Sequence, residues 1–91
     1  RGPAPRGRLE VPPELIVEVR SPSDTWTDTF AKVVEYLQAG VDVVAVIDPE
    51  TRTVSVCRPR VMQEVLREGE TLTLPDILPG FSMPVARLFA E

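Results

Sequence analysis

LIVEVRSPSD, residues 15–24, joins a short apolar run to an abrupt break. The run is rich in β-branched residues and has prolines on either side, so we predict a strand over residues 14–20 that is buried on both faces. Glu18 lies in the middle of this run. Because a buried strand rarely accepts an ionised carboxylate without a partner or a metal ion, Glu18 is the first candidate for chemistry.

The residues after the break predict a helix followed by a second buried strand. Helix N-cap candidates are concentrated in residues 21–24, and Gly40 is a typical residue to follow a helix end. Between them, residues 27–39 carry an apolar stripe with helical spacing, formed by Phe30, Val33, Val34 and Leu37. Residues 41–47 are mostly apolar and predict a strand buried on both faces. A strand, a helix and a strand in this order imply a right-handed crossover and a parallel pair.

The second half of the chain predicts an antiparallel continuation of the sheet. Residues 48–51 form a turn, and residues 53–58 alternate, with Val54 and Val56 on one face. The fold class is therefore α/β, in the form of a mixed α+β sheet. The remaining predicted elements are strands over residues 63–67 and 71–74, a loop over residues 75–80 and a short C-terminal helix over residues 85–90.

The length and the net charge of the chain limit its possible functions. A chain of 91 residues forms one domain at most. Residues 1–13 are rich in proline, glycine and arginine and predict an extended lead-in, which leaves residues 14–91 for the folded domain. The net charge of −4 argues against a protein that coats nucleic acid without specificity. It leaves a nuclease open, because the local charge around a groove matters more than the total.

Residue types that the sequence lacks exclude several classes of site. The chain has no histidine and a single cysteine, Cys57. Histidine general bases, Ser-His and Cys-His nucleophile pairs, the usual zinc sites and an internal disulfide are therefore excluded. No apolar run approaches the ~20 residues of a transmembrane helix, and residues 1–9 lack a signal-peptide core. We expect a cytoplasmic protein without membrane association.

Four segments follow one another in an order that is typical of one protein family. They are PPELIVEVRSPSD at residues 12–24, Lys32 with Tyr36 one turn later, AGVDVVAVIDPETRTVSVCR at residues 39–58, and GETLTLPDILPGFSMPVARLF at residues 69–89. In this order they resemble the Uma family of restriction endonucleases, a branch of the PD-(D/E)XK nuclease superfamily. The resemblance implies the C-terminal part of a restriction-endonuclease-like domain that hydrolyses DNA with Mg²⁺ or Mn²⁺.

The resemblance also implies roles for four residues. Glu18 matches the acidic metal ligand of the strand, and the backbone carbonyl of Val19 would be a neighbouring ligand. Lys32 matches the lysine that this family supplies from the following helix, so Glu18 and Lys32 are the expected catalytic residues. Arg20 stands where the superfamily pattern has its lysine, and we expect it to bind substrate phosphate. Glu18 and Arg20 are two residues apart and are expected to face the same side of the strand.

Other interpretations of these side chains stay open. Glu18 could be an edge carboxylate that pairs with an arginine. Lys32 lies about 150° from the apolar stripe of the helix, at about 100° per residue, where a solvated lysine is normal. Tyr36 is interpreted as a core residue or a packing support for Lys32, and Ser21 and Asp24 as turn and cap residues.

Three further residues have structural interpretations. Trp26 lies at the helix entry, where it could staple the helix start or stack on a base, and we favour the staple. Asp48 is expected to start an Asp-Pro turn. Cys57 is expected to be a small core residue.

One catalytic residue of the family has no counterpart in this sequence. The first catalytic aspartate of the family lies on an earlier hairpin, and Glu10 and Glu14 are the only acids in residues 1–14. Either the chain is part of a longer protein, or it is a catalytically inactive remnant that acts as a dimerisation or interaction module. In both cases we expect an exposed sheet edge, through which a homodimer could form.

Overall fold

A four-stranded sheet is the framework of the computed structural model, which describes residues 13–90. The lead-in predicted for residues 1–13 lies outside these residues except for Pro13, as does Glu10. In chain order the elements are β1 (Leu15–Val19), α1 (Trp26–Gln38), β2 (Val43–Asp48), β3 (Thr53–Cys57), β4 (Glu64–Arg67), β5 (Thr71–Leu74), β6 (Leu78–Pro84) and α2 (Val85–Leu88). The predicted mixed α+β fold is confirmed.

The sheet has the order β1-β2-β3-β4 and contains one parallel pair. β1 runs parallel to β2, with Glu18 opposite Val46. β3 runs antiparallel to both β2 and β4. Because α1 connects the two parallel strands, it packs across one face of the sheet and brings its own side chains over β1.

The core lies on both faces of β2 and β3, because successive side chains of a strand point to opposite faces. On one face, here called the helix face, Val44, Val46 and Cys57 pack with Val33 of α1. On the other face, here called the hairpin face, Val43, Ala45, Val54 and Val56 pack with residues of β5 and α2. The predicted alternation of β3 and the predicted burial of β2 are confirmed.

The burial predicted for β1 is wrong. Within residues 13–90 this strand pairs with β2 alone and forms an edge of the sheet. Val17 and Val19 are 53% and 61% exposed. An apolar sequence indicates that a strand packs against other apolar residues. It does not indicate whether both faces are covered or how many strands pair with it.

Two local predictions also need correction. The loop predicted for residues 75–80 overlaps β6, which pairs with β5 in a hairpin that has an irregular register next to Leu74. Proline and glycine in this segment are typical of a loop, so the sequence did not predict a strand here. The strand accommodates Gly80 at a positive φ of 87°. The N-cap of α1 is Thr25, outside the predicted residues 21–24, and its side chain accepts a hydrogen bond from the backbone N–H of Asp28.

The ends of the helices otherwise follow the sequence closely. Gly40, which follows the C-cap residue Ala39 of α1, has a φ of 106°, a conformation that glycine adopts without strain. α2 ends two residues earlier than the predicted residue 90, at Leu88. No helix within residues 13–90 combines the length and the apolarity needed to cross a membrane.

Candidate functional site

Glu18 meets two side chains of α1 on the helix face of the sheet. Its Oε2 accepts a hydrogen bond of 3.0 Å from the hydroxyl of Tyr36. Its Oε1 lies 3.8 Å from Nζ of Lys32. Lys32 and Tyr36 are four residues apart and therefore lie on the same side of α1. The structure thus brings together Glu18 and Lys32, which the sequence selected, and adds Tyr36 as a third member.

The three side chains differ in their access to water. The side chain of Glu18 is 25% exposed and that of Lys32 is 55% exposed. An ion pair with so exposed a lysine contributes little to stability, so Lys32 is free to exchange partners. The hydrogen bond to Glu18, together with partial burial and the negative charges of Glu18 and Glu35, raises the pKa of Tyr36. The hydroxyl therefore stays protonated and continues to donate at neutral pH.

Arg20 connects three elements beside this group. Its Nη1 lies 3.4 Å from both carboxylate oxygens of Asp48 and 3.2 Å from Oε1 of Glu50. Its Nη2 donates a 2.9 Å hydrogen bond to the backbone carbonyl of Asp24. Its guanidinium lies 5.0 Å from the centre of the Trp26 ring. Among the described residues, Arg20 is therefore an ion-pair partner of Asp48 and is not the partner of Glu18.

Asp48 is the residue of this region whose importance the sequence interpretation missed. The Asp-Pro turn is present, because Oδ1 of Asp48 accepts a 3.0 Å hydrogen bond from the backbone N–H of Glu50. The side chain of Asp48 is nevertheless only 1% exposed and faces Arg20. The sequence did contain a signal for this pair, because Arg20 and Asp48 lie at the corresponding ends of two strands that were predicted to be parallel.

The remaining candidates have structural roles. Asp24 accepts a 3.0 Å hydrogen bond from the backbone N–H of Ser21, which lowers the pKa of Asp24 and fixes the turn before α1. Trp26 stacks on Phe30, with ring centres 5.0 Å apart, and so packs along the helix start. Cys57 is buried, and burial raises the pKa of its thiol.

Comparison with known proteins gives the family. The sequence model of Uma2, described as a putative restriction endonuclease, matches residues 1–86. The chain belongs to the Uma2 family. None of the curated proteins matches the chain. The resemblance to the Uma family, which rested on four segments of the sequence, is confirmed.

The fold of this Uma2 chain is also that of a solved relative. It is similar to the crystal structure of a putative nuclease belonging to DUF820 from Anabaena variabilis ATCC 29413, with a TM-score of 0.77 and 25% sequence identity. The similarity covers 87% of this chain and 45% of the Anabaena chain. This Uma2 chain therefore spans less than half the length of that relative.

One of the described residues, Glu18, has the ligand chemistry that a Mg²⁺ site requires. Glu18 offers carboxylate oxygens, the type of ligand that Mg²⁺ prefers, and its side chain is open to water. Within residues 13–90, no group of three or more histidine, cysteine, aspartate or glutamate side chains is arranged to hold a metal ion. Glu18 thus fits one position in a Mg²⁺ coordination shell, and residues 13–90 do not complete that shell.

Proposed function

We propose that the protein containing this chain is a DNA endonuclease that hydrolyses phosphodiester bonds with Mg²⁺ or Mn²⁺. Membership of the Uma2 family and the fold shared with the Anabaena protein support a nuclease. The single observation that carries the choice of site is the approach of Lys32 to within 3.8 Å of the Glu18 carboxylate. The DNA substrate and a cytoplasmic location are parts of the same proposal.

Glu18 and Lys32 have complementary roles in this proposal. Glu18, with the backbone carbonyl of Val19, would hold the metal ion. A metal ion bound there would stabilise the negative charge that develops on the phosphate during hydrolysis. Lys32 carries its ammonium group on an exposed side chain, and it would orient the attacking water or a phosphate oxygen.

Arg20 is the proposed substrate-binding residue, and its surroundings restrict how it could act. Its side chain is only 11% exposed and it already pairs with Asp48 and Glu50. To bind a phosphate, the guanidinium would keep the buried Asp48 contact and exchange the exposed Glu50 for the phosphate. Arginine suits this role because its planar group presents several donors at once.

The rest of the coordination shell would come from outside residues 13–90. Mg²⁺ usually takes one or two carboxylates and completes its shell with water and substrate oxygens. The Anabaena relative is more than twice the length of the matched region. We propose that the full-length form of the present protein has a corresponding additional part. That part would carry a second acidic ligand, which corresponds to the first aspartate of the family pattern.

A second candidate function is a non-catalytic interaction module. The observation that favours it is the outer edge of β1, which has no strand partner within residues 13–90 and exposes Val17 and Val19. Backbone groups on such an edge can pair with a strand of a second copy. This module would bind neither metal nor DNA at Glu18.

Cleavage of plasmid DNA by the full-length protein distinguishes the two functions. We expect cleavage that requires Mg²⁺ or Mn²⁺, and we expect Glu18→Gln to abolish it because the amide removes the charge of the metal ligand. Glu14→Gln is the matched control, because it changes a neighbouring exposed glutamate in the same manner. Undiminished cleavage by the Glu18→Gln protein would refute the assignment of the site.

A further inference from the structure

The hydroxyl of Tyr36 makes a contact that packing alone does not require. The ring of Tyr36 lies against the core on the helix face, a position that a phenylalanine ring would fill equally well. The hydroxyl instead donates over 3.0 Å to Oε2 of Glu18, which lies 18 residues earlier in the chain. A hydrogen bond to a charged acceptor is among the stronger hydrogen bonds in proteins.

We propose that Tyr36 is a positioning residue for the Glu18 carboxylate. Its hydroxyl fixes Oε2, so that Oε1 is the oxygen presented to Lys32 and to an incoming metal ion. The terminal torsion of a glutamate is otherwise broad, so a carboxylate without this contact would sample many orientations. The inference rests on the proposed function, since it gives Tyr36 a purpose only if Glu18 is a metal ligand.

The two contacts of Glu18 are unequal, which supports this division of roles. Tyr36 is partly buried and lies within direct hydrogen-bond distance of Oε2. Lys32 is more than half exposed, and its Nζ is 3.8 Å from Oε1, beyond the usual length of a direct hydrogen bond. A metal ion, a water molecule or a phosphate can therefore replace the contact with Lys32 while Tyr36 still holds the carboxylate. Partners of this kind orient metal ligands in many metalloproteins.

A double-mutant cycle on the chain tests the contact without any assay of activity. Tyr36→Phe and Glu18→Ala are made singly and together, and unfolding in urea is measured for all four proteins. We expect Tyr36→Phe to lower the urea midpoint when Glu18 is present and to leave it unchanged when residue 18 is alanine. Equal shifts in the two backgrounds would overturn the inference and leave the proposed nuclease function untouched.

A Mn²⁺ titration of the full-length protein tests the positioning role itself. We expect Tyr36→Phe to weaken Mn²⁺ binding about 10- to 100-fold, the usual effect of removing a group that orients a metal ligand. Gln38→Ala, an exposed change on the same helix, is the control and should leave the affinity unchanged. A purely structural tyrosine would alter the melting temperature and leave the affinity for Mn²⁺ unchanged.

The outcomes separate the two proposals. Coupling in the cycle together with weaker Mn²⁺ binding supports the positioning role. Coupling with unchanged Mn²⁺ affinity overturns that role, although Glu18 could still serve a nuclease. If the unsubstituted full-length protein neither binds Mn²⁺ nor cleaves DNA, the proposed function fails, and the positioning role fails with it whatever the cycle shows.

Discussion

At the scale of single residues, the position of Glu18 on an edge strand determines which side chains surround it. Its side chain points to the helix face, where Lys32 and Tyr36 reach it from α1. One quarter of the side chain is open to water, enough for an ion to reach it without unfolding. A fully buried carboxylate would be inaccessible to a metal ion and to DNA, and a fully exposed one would lack a fixed orientation.

The ultraviolet titration of this chain reports on Tyr36 alone, since the chain has one tyrosine. The hydrogen bond to Glu18 is the main cause that raises the pKa of Tyr36. The raised pKa means that this interaction stabilises the fold while Tyr36 is protonated, and its contribution is lost as the pH rises through that pKa. We expect Glu18→Gln to lower the pKa of Tyr36 towards its ordinary value, measured by ultraviolet absorbance. The same pKa in both proteins would contradict the contact, and Glu14→Gln should change nothing.

The sequence selected Glu18 from its place in an apolar run and Lys32 through the family resemblance, and it did not predict the contact of Tyr36 with Glu18. Tyr36 was interpreted as a packing residue because its spacing from Lys32 shows only that the two share a side of the helix. That this side faces Glu18 depends on how α1 lies across β1 and β2, which is a long-range property. No pattern within the helix itself reports where its hydroxyl will find an acceptor.

At the scale of elements, the junction of Arg20, Trp26 and Asp48 sets the position of α1. Arg20 follows β1, Asp48 ends β2 and Trp26 begins α1, so a single guanidinium touches the ends of all three elements. The junction lies within a few residues of Glu18 and before Lys32 on the helix. A loosened junction would therefore change the distance between Glu18 and Lys32.

Asp48→Asn tests this junction. The amide can still accept the hydrogen bond from the backbone of Glu50, but it leaves the partly buried Arg20 without its most buried counter-charge. We expect the free energy of unfolding to fall by about 2 kcal/mol, measured in urea. Glu68→Gln, which breaks the exposed ion pair with Arg52, is the control and should have a much smaller effect. Similar losses of unfolding free energy in the two variants would show that the Arg20–Asp48 ion pair stabilises the fold no more than an exposed ion pair does.

The prediction of elements succeeded where the sequence pattern was local. The apolar stripe predicted α1, and the β-branched runs predicted β1, β2 and β3. β6 was missed because Pro79 and Gly80 suggest a loop, and its pairing depends on β5 and on a local irregularity of register. The burial of β1 on both faces was predicted wrongly, because what covers the faces of a strand is decided by the whole fold and not by the strand's own sequence.

At the scale of the whole molecule, the open side of the fold lies at β1. Val17 and Val19 are exposed on the hairpin side of this strand, and the outer edge of β1 has no strand partner within residues 13–90. An apolar cavity of about 180 Å³ opens beside Val17, between the sheet and the β5–β6 hairpin. Apolar surface of this kind at a sheet edge favours association with a further strand.

The mass of the chain in solution tests whether this edge pairs with a second copy. We expect a dimer by light scattering, and we expect Val19→Lys to shift it to a monomer, since a charged residue on an edge strand opposes pairing. Val34→Lys is the matched control, because Val34 is 49% exposed on α1 and should leave the mass unchanged. A monomer at all concentrations would rule out the dimer, and with it the main support for the interaction module.

We propose that Glu18 is the carboxylate around which the metal site of this Uma2 protein is built. Calorimetric titration of the full-length protein with Mn²⁺, beside its Glu18→Gln variant, tests this claim most directly. We expect saturable binding to the unsubstituted protein and its loss in the variant, with the melting temperature little changed. Equal Mn²⁺ binding by the two proteins would contradict the claim, because the ion would then be held by other ligands.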